Sequence, residues 1–192
     1  MICIRPALLN GVVRVGRWGY IGVADVRTFA CMIPELLIEE ALNDIVRYGE
    51  AEYEEALLDL QQEQGPAMAY LMSEQFELLS EAEREYMLWL ALVVWQSVTK
   101  AGEPRMADVA QVEAADEANW ETLNAIKAKS FREKLDPFFE QTEQEDLLAF
   151  LEDSLTDDGE EGGDAIPVQP ESREYVFAAV KTLVDVWTGS RV

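Results

Sequence analysis

The sequence predicts an all-α fold: a single-domain bundle of about six to eight helices around a buried central helix near 80–101, preceded by an irregular or short β-like arm. Three observations predict it. From Tyr86 to Trp95 every residue is apolar, and this run follows a capping box in which Ser80 stands three residues before Glu83. Elsewhere, apolar residues recur with helical period between clear breakers. Finally, the 192 residues are 49% hydrophobic, with five Trp and seven Phe, enough for one domain with a real core.

Glu81, Glu83 and Glu85 put negative charge at the positive end of the Ser80 helix, and the run beyond them is apolar on every side. A membrane span needs about 20 apolar residues and this run is about half that, so the expected place is the centre of a bundle. Trp89 and Trp95 point in different directions around the helix, and both are expected to be buried; exposure of either would make the helix an interface as well as a core.

The other helices follow in order from Pro34, which suits a first helical position. Leu37, Ile38, Ala41, Leu42, Ile45 and Tyr48 form one stripe ending at Gly49. Tyr53, Ala56, Leu57 and Leu60 form a second, stopping at Gly65-Pro66. Its outer face carries Glu50, Glu52, Glu54, Glu55 and Asp59. Met68, Leu71, Met72 and Leu79, with Phe76 alongside, predict a third helix leading into Ser80. After Gly102-Glu103-Pro104, residues 106–129 read as one half-exposed helix or as two, because Asp116 and Asn119 interrupt the apolar seam. Asp116 is therefore the carboxylate expected to have a perturbed pKa. Trp120, an aromatic on a poorly buried helix, is a candidate anchor for a partner.

Ser130 with Glu133 and Thr142 with Glu145 are further capping boxes; Asp136-Pro137 is expected to limit the helix between them, leaving Phe138-Phe139 as a plug into the core. Leu147, Leu148, Leu151 and Leu155 mark the next helix. The segment 156–170 is a flexible acidic loop containing Asp157, Asp158, Glu160 and Glu161. A calcium loop starting at Asp157 fails, since Gly159 would occupy the third ligand position and Val168 the twelfth. The last helix, 171–188, turns Val176, Ala179, Val180, Leu183 and Trp187 inward, with Lys181 and Asp185 outside, and Gly189 ends it.

Residues 1–31 differ from the acidic helical domain at 32–192. Arg5, Arg14, Arg17 and Arg27 stand against Asp25 alone, a net charge of +3, which leaves −26 of the chain's total of −23 to the remainder. Glycines at 11, 16, 19 and 22 punctuate this basic arm. It fits no phosphate loop, dinucleotide turn, signal peptide or lipoprotein site. Met32-Ile33-Pro34-Glu35 reads as a natural start, so the arm is either a mis-called upstream extension or an unstructured segment; the alternative is a basic arm that folds back on the acidic body.

Composition excludes more than it identifies. A net charge of −23 argues against a phosphate-backbone binder and against the anionic membrane surface, and suits a basic protein partner. The chain has no histidine, which removes Ser-His-Asp and Cys-His catalysis, zincin sites and the Glu-x-x-His di-iron bundle. Its two cysteines, Cys3 and Cys31, form no C-x-x-C, and a reducing compartment is the default. No cofactor or metal is expected. The expected role is a non-enzymatic, cytoplasmic interaction or regulatory protein (adaptor, chaperone or immunity/antitoxin-like) whose acidic surface binds a basic protein. The candidate contact residues are Trp120, Glu50, Glu52, Glu54, Glu55, Asp157, Asp158, Glu160 and Glu161. Alternatives are a nucleic-acid mimic that inhibits a DNA-binding protein, and a carboxylate-based enzyme or ion binder.

Overall fold

The computed structural model describes residues 32–102, 104–128, 130–156 and 166–190. The basic arm and residues 157–165 of the acidic loop lie outside the described residues. The described chain is helical, as predicted, with no strand: α1 (Glu35–Ile45), α2 (Glu50–Glu63), α3 (Gly65–Leu71), α4 (Glu81–Ala101), α5 (Val109–Ala125), α6 (Phe131–Gln141), α7 (Glu145–Leu155) and α8 (Arg173–Thr188). A 3-10 turn at Glu74–Phe76 links α3 to α4. None of these helices is long and apolar enough to cross a membrane.

The bundle is centred on α4 and α8, which pack against each other. On α4, Met87 and the run from Leu90 to Trp95 are buried, as the apolar sequence requires. Each fully buried Leu or Val contributes about 1.5–3 kcal/mol relative to an exposed one. The enclosure of α8 goes further, since every residue from Val176 to Thr188 is buried. It is walled by α4, α5 and α7, while α1 and α2 pack against α4. Lys181 and Asp185, expected outside, are 6% and 3% exposed. The reason is geometric: α5 covers the face of α8 that carries them, and Asn119 of α5 meets them there.

Local chemistry sets the boundaries, with some departures from expectation. Ser80 caps α4 as predicted: its hydroxyl accepts from the Glu83 amide (3.3 Å) and Glu83 Oε2 accepts from the Ser80 amide (2.8 Å). The third predicted helix is instead α3 plus the 3-10 turn, because Pro66 in the first turn starts a helix at Gly65 and Ser73, in an extended conformation, interrupts it. Met72 then falls at the break and is exposed. Residues Val109–Ala125 form one helix, with Asn119 on its buried side. Pro137 does not end α6 but lies inside it. An interior proline loses its N–H bond and crowds the carbonyl one turn back, a cost of about 3 kcal/mol, but buried Leu135 and Phe138 hold the helix to the core on both sides of it. Phe138 does plug the core, edge-on to Phe177 at 5.2 Å. Ser130 caps α6 as expected, whereas Thr142 Oγ1 accepts from the Gln144 amide (2.9 Å), not from Glu145. Gly189 ends α8 in the left-handed conformation (φ 65°) beneath the Arg105 guanidinium.

Glu83 also ties α4 to the chain entering α8, since its Oε1 accepts from the Gln169 amide (3.0 Å). Burial pushes this carboxyl up, but hydrogen bonds from Ser172, the Ser80 and Gln169 amides and the Ser80 hydroxyl outweigh it and hold the pKa at about 2. Because that lies below the ordinary value of 4.5, the stabilisation is complete above pH 4.5 and is lost as pH falls toward about 2. Glu83→Gln is expected to cost about 1–3 kcal/mol at neutral pH. The difference from the parent should shrink as pH falls through that window, as read by thermal unfolding at stepped pH.

Candidate functional site

Helix α2 shows how the acidic surface is organised. Only Leu60 is buried along its length, so it is held to α4 by a narrow face and leaves an open groove on each side. Glu50, Tyr53, Glu54 and Leu57 follow i, i+3, i+4, i+7 and face one groove; Glu52, Glu55, Ala56 and Asp59 follow the same spacing two residues on and face the other. The four glutamates read from sequence as one acidic face are thus divided between two sites.

The first groove, of about 630 Å³, runs between Glu50, Tyr53, Glu54 and Leu57 of α2 and Glu85, Tyr86, Leu88 and Trp89 of α4, with Pro167 at its end. Trp89 is not buried as expected: it is partly exposed here, stacked on Tyr86 with ring centroids 5.4 Å apart. Burial raises the Tyr53 hydroxyl pKa, and the negative charge of Glu85 raises it further. Tyr86 is likewise raised by burial, against the opposing effect of a hydrogen bond with the Ser154 side chain, and its hydroxyl donates to the Ser154 carbonyl (2.9 Å). The result is an aromatic floor, carboxylates at the rim, and no basic side chain among the described residues that line it.

The second groove, of about 450 Å³, lies between α1, α2 and the C-terminal half of α4. It already contains a cation. Lys100 binds Asp44 at 2.7 Å across it, which lowers the Asp44 pKa and raises that of Lys100. Trp95 forms part of its wall but is buried, as predicted.

A separate polar chain threads the core between α5 and α8. Lys181 Nζ donates to both carboxylate oxygens of Asp185 (2.5 and 2.6 Å), and Asn119 Nδ2 donates to Asp185 Oδ2 and Thr182 Oγ1, each at 3.2 Å. The Tyr70 hydroxyl, close to Thr182, donates to Asp116 Oδ1 at 2.6 Å. Burial raises the Asp116 pKa, with hydrogen bonds from Tyr70 and Trp120 opposing it, so the carboxylate singled out from sequence is indeed perturbed. Burial likewise raises Asp185, opposed by Lys181 and Asn119. The cavity beside Lys181 and Asp185 is about 50 Å³, little more than one water molecule's share of liquid volume, about 30 Å³. This arrangement suits an internal strut and leaves no room for a substrate. Among the described residues no group of three or more acidic or cysteine side chains is arranged to hold a metal ion.

Of the residues proposed from sequence, Glu50 and Glu54 therefore meet at the aromatic groove and Glu52 and Glu55 at the neighbouring one. Trp120 stands apart, partly buried, packed on Tyr175 at 5.1 Å and hydrogen-bonded to Asp116. Asp157, Asp158, Glu160 and Glu161 lie outside the described residues. Sequence reading missed Glu85 as a rim residue, because it was assigned wholly to the helix dipole. Trp89 is named from sequence as a residue expected to be buried, with its exposure the sign of an interface, and it is the partly exposed one of the pair.

Lys181→Met should cost about 3–5 kcal/mol, because it strands the Asp185 carboxylate in the core. Lys181→Met combined with Asp185→Leu should recover most of that loss, and urea denaturation of the single and double variants measures both. No protein-family model matches the chain, nor does any curated protein or solved structure.

Proposed function

We propose that this protein is a non-enzymatic interaction or regulatory protein of the cytoplasm, an adaptor, chaperone or immunity-like factor, that holds a basic amphipathic segment of a protein partner in the groove between α2 and α4. The observation that carries this reading is the pairing of an aromatic floor, Tyr53, Tyr86 and Trp89, with a rim made of Glu50, Glu54 and Glu85. Apolar side chains of the partner would cover the floor. Its Lys or Arg side chains would meet the rim or lie over the Tyr86–Trp89 stack, where a cation gains about 0.5–2 kcal/mol depending on desolvation. The chain's charge of −23 would speed the encounter and orient it. The default of reduced cysteines supports the compartment assigned.

The neighbouring groove supports the choice by contrast. Its Lys100 already satisfies Asp44, so an incoming cation would compete with an internal one. At the aromatic groove no such competition arises among the described lining residues.

The test is affinity capture from native lysate at low and high salt, with the parent chain and a Glu50→Lys, Glu54→Lys, Glu85→Lys variant as baits. A basic protein retained by the parent at low salt, released at high salt and at least about tenfold depleted on the variant is the expected result, since losing two or three rim contacts of 0.5–1 kcal/mol each reaches that size. Equal capture by both baits, or a partner list without a salt-sensitive basic protein, would remove the reading.

A further inference from the structure

A third groove lies between α1 and α7. Helices α1 and α7 lie side by side and run parallel, because their N-terminal ends are tied together: the Ile33 amide donates to Gln144 Oε1 and the Glu35 amide to Asp146 Oδ2, each at 3.0 Å. Ile33 and Gln144 are both buried. The chain therefore enters the body at a fixed point, the shared N-terminal end of the two helices. From that point an open groove of about 550 Å³ runs toward Leu42 and Asp153, floored by Ile38, Leu42 and Phe150 and rimmed by Glu35, Glu39 and Asp146. Asp153 closes the rim and also faces Arg132 of α6 at 3.8 Å.

We propose that this groove is the docking site of the chain's own basic arm, residues 1–31, acting in cis. Three features select this occupant over a second copy or a foreign partner. The first is charge. The arm carries +3 and opposes a rim of carboxylates, whereas a second copy of the −26 body would be repelled. The second is composition: Trp18, Tyr20 and Ile21 stand between Arg14, Arg17 and Arg27, which matches an apolar floor set between acids. The third is the tether. The arm joins the body at the groove's own end, so its local concentration is of millimolar order and no partner need be found. Length is sufficient, since an eleven-residue helix such as α1 spans about 16 Å, and about five extended residues cover that distance.

Docking of the arm is a property of the α1–α7 groove and does not depend on partner binding between α2 and α4, so either can fail alone. The experiment uses the full chain carrying a single nitroxide at Ala24→Cys, with Cys3→Ser and Cys31→Ser. Paramagnetic broadening should reduce the amide signals of residues 38–42 and 149–154 several-fold, while those of residues 50–57 and 82–89 keep their intensity. It should fade in the Arg14→Glu, Arg17→Glu, Arg27→Glu variant. It should also fade on going from about 0.01 M to 1 M salt, where the screening length falls from about 30 Å to 3 Å. Broadening spread evenly over the body, centred on the α2–α4 groove or unchanged in the arginine variant overturns the proposal. So does broadening that passes from a labelled chain to an isotopically marked, unlabelled one, which would make the occupant a second copy.

Discussion

A helix buried on every side must satisfy each polar group it carries, and α8 carries Lys181, Thr182, Asp185 and Thr188 inside the bundle. An ammonium or a carboxylate left alone there would cost several kcal/mol. The solution is local first and tertiary second. Lys181 and Asp185 are one helical turn apart and pair within α8, while Thr188 returns its hydroxyl to the Val184 carbonyl at 2.7 Å. What remains, the second demand of Asp185 and the hydroxyl of Thr182, is met by Asn119. That requirement fixes the rotation of α5 against α8, since an apolar helix in its place could slide or turn at little cost.

The same logic holds beside the last turn of α8. Gln64 is buried at the junction of α2 and α3, and all three of its side-chain bonds reach across the chain. Its carbonyl oxygen accepts from the Ala107 amide (2.9 Å) and the Trp187 indole (3.1 Å), and its amide donates to the Arg105 carbonyl (3.3 Å). One side chain thus joins the α2–α3 corner, the segment entering α5 and the last turn of α8. Glu83 performs the equivalent service at the start of α4. With α4 and α8 locked by these contacts, the outer helices need only a narrow apolar face to stay in place. The grooves beside α2, and between α1 and α7, are the consequence of that economy of contact.

How much of this was legible in the sequence depends on whether a residue's role is local or tertiary. The capping box at Ser80, the apolar run of α4, the leucines of α7 and the turn at Gly189 are written in near-neighbour chemistry, and each appears where the pattern puts it. Periodicity fails for α8, because Lys181 and Asp185 look like a solvated i, i+4 pair until another helix is found to cover them. Pro137 signals a helix end locally, yet packing of Leu135 and Phe138 overrides it. At the candidate site, the acids of α2 were visible in sequence, but their division into two faces needs the position of α4. Trp89 shows the limit most clearly, since hydrophobicity reports that a residue prefers burial and not whether a neighbour arrives to bury it.

A partly exposed aromatic floor is also a liability, because apolar patches recruit further copies of the same chain. Here the rims answer that problem. The aromatic groove and the α1–α7 groove are both edged by carboxylates, on a body whose net charge is −26. Two such bodies approaching groove to groove would bring acids against acids at the moment their apolar floors lose solvent, where screening is weakest. A basic segment would meet the opposite balance at the same surface, so on the proposed reading one set of side chains would disfavour self-association and favour a cationic occupant. Neutral polar residues at Glu50, Glu54 and Glu85 would leave the floor equally apolar but remove that discrimination. In the proposed role the acidity acts together with Tyr53, Tyr86 and Trp89: the aromatic residues would supply contact area, and the carboxylates would select what covers it.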